Sequence, residues 1–125
     1  MRFRFGICGL ALFISACGCQ NELQDSVPAP DGRHVAVLFQ RNCGATTGDN
    51  LELSLIRSAG MPHGDGNAFI ADAPARDSAG MVAMISLVKL QWLSSKALQV
   101  SYDRRLRVFR QETRVEGITV SYRPW

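Results

Sequence analysis

The sequence lacks any apolar run long enough to cross a membrane as a helix. Its longest run, residues 6–14, is well short of the roughly 20 helical residues that a hydrocarbon core of about 30 Å requires. A permanent transmembrane helix at the N-terminus is therefore the weaker interpretation, and no other segment is long or apolar enough to span.

The chain also has few of the residues that build catalytic and metal sites. Neither of its two histidines, His34 and His63, has cysteines or carboxylates at a spacing typical of zinc or calcium sites. None of its four cysteines belongs to a Cys-x-x-Cys pair. We therefore expect a protein that is not an enzyme, binds no metal and uses no cofactor.

The N-terminus has the three-part layout of a secretory signal. Two arginines precede the apolar run, and the tetrapeptide Ile-Ser-Ala-Cys that ends at Cys17 resembles the bacterial lipobox. The small residues fit a peptidase beside the scissile bond, and the thiol accepts the lipid. We expect lipid on Cys17. The alternative is an ordinary signal peptide cut near Ala16, with Cys17 a free thiol.

The predicted domain organisation has three parts. Residues 1–16 form the signal peptide, residues 17–30 a polar, proline-bearing flexible tether, and residues 31–125 one β-rich domain. Gly18 follows Cys17 where an aspartate would indicate inner-membrane retention. The expected address is therefore the cell envelope, on the periplasmic face of the outer membrane if the source has two membranes.

Removal of the signal leaves Cys19 and Cys43 as the two remaining thiols in an oxidising compartment. A disulfide between them would close a loop of about 25 residues and stabilise the fold by roughly 3 to 4 kcal/mol. The alternative is a buried, unreactive Cys43, because Cys19 belongs to the expected tether. Both interpretations stay open at this point.

Helical periodicity is scarce in the domain, whereas alternation of apolar and polar residues recurs. Residues 34–40, 51–56, 67–71, 82–92 and 98–102 are strand candidates, and two further strands, residues 106–114 and 118–123, flank Glu116-Gly117 as a terminal hairpin. About seven short strands predict a mainly β protein, a small antiparallel sandwich or barrel-like domain.

Positive charge is concentrated in the last third of the chain. Acids outnumber bases from residue 17 to residue 88, whereas bases dominate from residue 89 onward. Two interpretations are open: a surface for anionic lipid headgroups or cell-wall polymers, and a solvated strand face whose arginines oppose unwanted strand pairing. We expect no nucleic-acid partner.

The loop of residues 43–48 is the main candidate for ligand or partner contact. It contains Cys43, Gly44, Thr46, Thr47 and Gly48, whose flexible glycines and free hydroxyl and amide groups are suited to cradling a ligand. The alternative is a rigid strand connection in which the threonines bond their own backbone.

Several motifs together resemble a family of small bacterial lipoproteins of unknown function. These are the lipobox, the Pro-Asp-Gly strand start at residues 30–32, the Cys-Gly-Ala-Thr-Thr-Gly loop at residues 43–48, and the Val-Phe strand before the C-terminal hairpin. The resemblance implies an envelope address and no activity. We expect a lipid-anchored, non-enzymatic binding or structural module; the alternative is an accessory or inhibitor of an envelope enzyme.

Lipid attachment at Cys17 is directly testable. Metabolic labelling with a fatty-acid analogue should mark the wild-type protein and fail to mark Cys17→Ser, because only the thiol forms the thioether. Undiminished label in the variant would contradict the prediction.

Overall fold

The protein is mainly β. The computed structural model describes residues 19–42, 50–57, 60–72 and 87–125, and within them no α-helix occurs. The described residues form nine strands, two more than expected, because a strand forms in the expected tether and the C-terminal region divides further. They are β1 (Gln20–Pro28), β2 (Val35–Asn42), β3 (Asn50–Ile56), β4 (Phe69–Asp72), β5 (Val88–Ser94), β6 (Ala97–Tyr102), β7 (Arg107–Gln111), β8 (Arg114–Val115) and β9 (Ile118–Pro124).

The strands form two packed sheets, which confirms the sandwich and not a closed barrel. Sheet A has the order β1-β2-β3-β4-β7, and sheet B has the order β5-β6-β9-β8. All pairs are antiparallel except β6 with β9, which is parallel. The parallel pair arises because the chain leaves sheet B after β6, adds β7 to sheet A, and returns to sheet B.

The core lies between the two sheets and consists of the inward-facing apolar residues of their strands. Leu51, Leu53 and Leu55 of β3 point inward, and they pack in one cluster with Leu98 and Val100 of β6. These side chains are almost completely buried, and each such burial stabilises the fold by roughly 1.5 to 3 kcal/mol. The period of two in the sequence therefore identified the core face of these strands.

Polar contacts at the edges of the core fix how the two sheets align. The Trp92 Nε1–H group of β5 donates to the Val27 carbonyl oxygen of β1 at 2.9 Å. The Tyr122 hydroxyl of β9 donates to the Glu112 carbonyl oxygen at 2.6 Å and lies 3.0 Å from that of Ala68. Sheet B thus lies with β5 over the β1 side of sheet A and β9 over its β4–β7 side.

The prediction of a flexible tether over residues 17–30 is wrong for most of these residues. Residues Gln20–Pro28 form β1, which pairs with the whole of β2 in antiparallel register from Gln20 opposite Asn42 to Pro28 opposite Val35. Its polar composition misled the prediction, because an edge strand with solvated side chains needs few apolar residues. The fold therefore begins within three residues of Cys17.

The predicted turn of the terminal hairpin is confirmed, but the predicted length of its first strand is wrong. Glu116 and Gly117 have φ values of 55° and 77°, as a two-residue turn with both central residues left-handed requires. Only Arg114 and Val115 pair back onto β9, because β7 joins β4 in the other sheet. The arginines of this region are consequently divided between the two sheets.

The sandwich has two distinct ends. We call the end where β1 begins the proximal end. In sheet A the strand ends that lie there are at Gln20, Asn42, Asn50, Asp72 and Arg107. In sheet B it is the row of Val88, Tyr102 and Pro124, because the short turn after Tyr102 leads directly to Arg107. The distal end carries the turns after β1, β5 and β8, where the Ser95 hydroxyl accepts from the Asp31 N–H at 3.1 Å.

Cys19 is disulfide-bonded, and it directly precedes β1. The other three cysteines lie outside the described residues. The partner of Cys19 therefore lies outside the described residues, and the Cys19–Cys43 pairing stays a prediction.

We predict that Cys43→Ser and Cys19→Ser destabilise the domain equally, by about 3 kcal/mol in denaturant unfolding, because either one opens the same loop. Peptide mass mapping without reductant should recover residues 19 and 43 in one linked product, and Cys17→Ser should leave that product intact. A linked product joining Cys19 to another cysteine would refute the pairing.

Candidate binding surface

Most site residues predicted from the sequence fall outside the described residues. Cys17 and the loop containing Cys43, Gly44, Thr46, Thr47 and Gly48 belong to this group, so its role in ligand contact stays a prediction. The strand residues that flank the loop, Asn42 and Asn50, lie at the proximal end. Among the described residues, no group of three or more His, Cys, Asp or Glu side chains is arranged to hold a metal ion.

The outward face of sheet B is polar toward the proximal end, and toward the distal end β5 also exposes Leu93. In each of β5, β6 and β9, apolar residues face the core and the alternate residues face outward. The register sets the outward residues side by side across the three strands. The polar members of this outward set are Lys89, Gln91, Gln99, Ser101, Thr119, Ser121 and Arg123.

This face is basic and its strands contain no acid. β5, β6, β8 and β9 include Lys89, Arg114 and Arg123 and not a single aspartate or glutamate. Among the described residues, neither Lys89 nor Arg123 has a carboxylate within ion-pair distance. Their charges are therefore uncompensated locally and are accessible to an anionic partner.

A groove of about 390 Å³ crosses this face at the proximal end. It is lined by Lys89, Gln99, Ser101, Arg123, Pro124 and Trp125. The Lys89 ammonium lies 5.3 Å from the centroid of the Trp125 ring, within the range of a cation–π contact. The groove thus combines two cations, an amide, a hydroxyl and one exposed aromatic ring.

Backbone contacts hold Trp125 in position beside the groove. Its N–H donates to the Tyr102 carbonyl oxygen at 2.8 Å, and its own backbone oxygen accepts from both the N–H and the Nε–H of Arg104. The residue nevertheless remains 43% exposed. Trp125 is therefore a fixed, solvent-facing aromatic group, of the kind that contacts ligands at little entropic cost.

The turn between β6 and β7 is stabilised by Asp103. Its carboxylate accepts from the Arg105 side chain at 2.8 and 3.0 Å and from the Arg105 N–H at 2.8 Å. These hydrogen bonds from Arg105 lower the pKa of Asp103 to about 2. The carboxylate stays ionised at all physiological pH values and orders the turn that also carries Arg104.

A second cavity, of about 360 Å³, lies on the outward face of sheet A. It is formed between β3 and the loop of residues 60–67, and its lining includes Ser54, His63, Asp65 and Asn67. Asp65 is engaged with Arg41 at 3.2 Å, whereas His63 is exposed. The cavity brings together no nucleophile and base, and we assign it no reaction.

Glu52 lies buried on this face beneath the loop. Its carboxylate accepts from the Gly66 N–H at 2.6 Å and anchors the loop to β3. Burial raises the pKa of Glu52, and nearby Asp65 raises it further, while the hydrogen bond from Gly66 and the charges of Arg41 and Arg110 lower it. Glu52 is thus a structural carboxylate whose ionisation carries a desolvation cost.

Gly66 allows the close approach that this contact needs. A Cβ atom at position 66 would lie 2.8 Å from the Leu53 carbonyl oxygen and 2.9 Å from the Leu53 nitrogen. Because both atoms belong to the backbone of the central strand, they have little freedom to move aside. Residues 60–66 carry no strand pattern that predicts this contact, and the available signal for a buried Glu52 was its position between the apolar Leu51 and Leu53.

The comparisons give this chain no relative. No protein-family model, no curated protein and no solved structure matches it. The described residues contain no helix of the length and hydropathy that a membrane crossing demands. The resemblance to small bacterial lipoproteins accordingly stays a prediction from the sequence.

We predict opposite pH responses for the two structural carboxylates. The folded-state pKa of Glu52 is raised, so the wild-type domain should lose free energy of unfolding as the pH rises through that pKa, and Glu52→Gln should remove this loss. Glutamine keeps an acceptor for the Gly66 N–H. Urea unfolding from about pH 4 to 8 measures the effect.

Asp103→Asn is the control, because the pKa of Asp103 is lowered. Its contribution to stability is present above the ordinary aspartate range and is lost as the pH falls toward about 2. The variant should therefore flatten only the acidic limb of the stability curve. A Glu52→Gln curve that runs parallel to wild type above pH 4 would show that we have misassigned the buried carboxylate.

Proposed function

We propose that this protein is a lipid-anchored envelope lipoprotein whose β-sandwich is a non-enzymatic binding module, and that the outward face of sheet B binds an anionic surface. The observation that carries the proposal is the proximal groove, where Lys89 and Arg123 stand without acidic neighbours beside the exposed ring of Trp125.

The chemistry of the groove suits phosphate and carboxylate groups. Lysine offers a compact positive charge, and arginine offers a planar set of donors that matches two oxygens of an anion. Gln99 and Ser101 lie within the groove and add neutral hydrogen-bonding groups. The strands of this face contribute no histidine, cysteine or carboxylate, which favours recognition over bond cleavage.

The proposed anchor fits the chain path. β1 begins at Gln20, three residues after Cys17 in the sequence. A lipid on that residue would enter the membrane leaflet that faces the domain, with the outer membrane favoured by the glycine at position 18. The lipobox and the signal remain the support for this address.

The binding test uses the chain from residue 17 onward with Cys17→Ser, so that lipid contributes nothing. We expect it to bind phosphatidylglycerol vesicles or isolated cell-wall fragments, with affinity that falls steeply as salt is added. Lys89→Gln with Arg123→Gln should weaken binding about 30-fold, taking roughly 1 kcal/mol for each basic residue at an anionic surface.

Lys96→Gln with Arg114→Gln is the matched control, because it removes the same charge from the distal part of the same sheet. It should weaken binding much less than the groove variant. Equal losses in both variants would show that net charge, and not the groove, attracts the anion, and binding unaffected by either pair would refute the proposed surface.

A further inference from the structure

The proximal end of the sandwich is held close to the position of the proposed anchor. Three residue steps separate Cys17 from Gln20, the first residue of β1, and an extended chain spans at most about 10 Å over that distance. The screening length at physiological ionic strength is also about 8 Å. Charges at the proximal end are therefore within electrostatic range of the membrane that holds the lipid.

The proximal end is rich in arginine. The turn after β6 contains Arg104 and Arg105, and Arg107 begins β7. Two acids are nearby, and each is already engaged: Asp103 with Arg105 at 2.8 Å and Asp72 with Arg107 at 3.0 Å. Arg104 instead donates its Nε–H and its backbone N–H to the backbone oxygen of Trp125, at 2.9 and 3.0 Å.

The proximal groove lies on the same side of the sandwich as the start of β1. β5 packs over β1, as the hydrogen bond from Trp92 to Val27 shows, and Lys89 lies near the proximal end of β5. Trp125 lies directly after the proximal end of β9. A tryptophan beside basic side chains is the combination that partitions to the headgroup region of a bilayer.

Charge alone does not distinguish the two ends, because the distal end also carries basic residues. Arg57 there is paired with Glu116 at 3.3 Å, and Glu116 also lies 3.9 Å from His34. The short covalent connection to Cys17 makes the difference, since it brings only the proximal end to the bilayer. This geometry selects the membrane over a wall polymer as the anionic surface.

We propose that the sandwich docks directly on the membrane that carries its own anchor, with the proximal groove, Arg104 and Trp125 against the anionic headgroups. This inference rests on the proposed lipid at Cys17. In this arrangement the domain does not move freely on a long tether. It is held in a fixed orientation, with the distal turns directed away from the bilayer.

The two tryptophans of the chain make the orientation measurable. The lipidated protein is reconstituted into vesicles of phosphatidylglycerol and phosphatidylcholine whose acyl chains are brominated close to the headgroup, since bromine quenches tryptophan only at short range. We expect loss of Trp125 emission. Trp92, which is half-buried and bonded to Val27 near the distal end, should stay unquenched.

Trp125→Phe resolves the two signals without disturbing the core. The variant should show no quenching. With Trp125 intact, Lys89→Gln with Arg123→Gln should show much less quenching than wild type, whereas Lys96→Gln with Arg114→Gln should match wild type. Equal emission of wild-type protein in brominated and plain vesicles would overturn the docked orientation, and so would quenching that persists in Trp125→Phe.

The outcomes separate this inference from the function on which it rests. If the protein is not lipidated, it will not co-float with zwitterionic vesicles, and the proposed function fails at its anchor. If it co-floats but Trp125 is not quenched, the anchor stands and the docked orientation is wrong. Binding of the unlipidated chain to wall fragments and not to anionic vesicles would likewise refute docking on the membrane.

Discussion

The parallel pairing of β6 with β9 is the constraint on which the rest of the structure depends. Six consecutive residue pairs, from Ala97 with Thr119 to Tyr102 with Pro124, hold the last strand in the interior of sheet B. Between these two strands the chain adds β7 to sheet A. The pairing of β7 with β4 and the pairing of β6 with β9 therefore link the two sheets through one continuous segment of chain. The hydrogen bonds of Tyr122 to the sheet A side depend on this arrangement.

The same pairing creates the binding surface. Lys89 is aligned with Ser101 by the β5–β6 register, and Ser101 is aligned with Arg123 by the β6–β9 register. Two cations that are far apart in the sequence thus lie across one intervening strand. The end of β9 then delivers Trp125 to the same corner, where its backbone is held by Tyr102 and Arg104. The groove is a product of the crossover and not of any single motif.

Sheet A shows how polar residues are accommodated on the opposite side of the molecule. Glu52 is buried although its side chain is a carboxyl group. The hydrogen bond from the Gly66 N–H and the charges of the neighbouring arginines offset part of the desolvation cost of its ionised form. Position 66 must be glycine because the loop lies directly on the backbone of β3. The stability of this face should consequently respond to pH, whereas the binding face of sheet B has no carboxylate in its strands to titrate.

The sequence by itself determined the β class, the core face of β3 and β6, and the left-handed turn at Glu116-Gly117, because alternation and turn geometry are local properties of the chain. Only the tertiary structure decided that Gln20–Pro28 is a strand and that the C-terminal arginines divide between two sheets. Edge-strand pairing and a parallel crossover depend on partners distant in sequence, and the free energy that selects them comes from contacts that no local pattern records. The basic groove belongs to this second group, since its members meet only when β5, β6 and β9 are aligned.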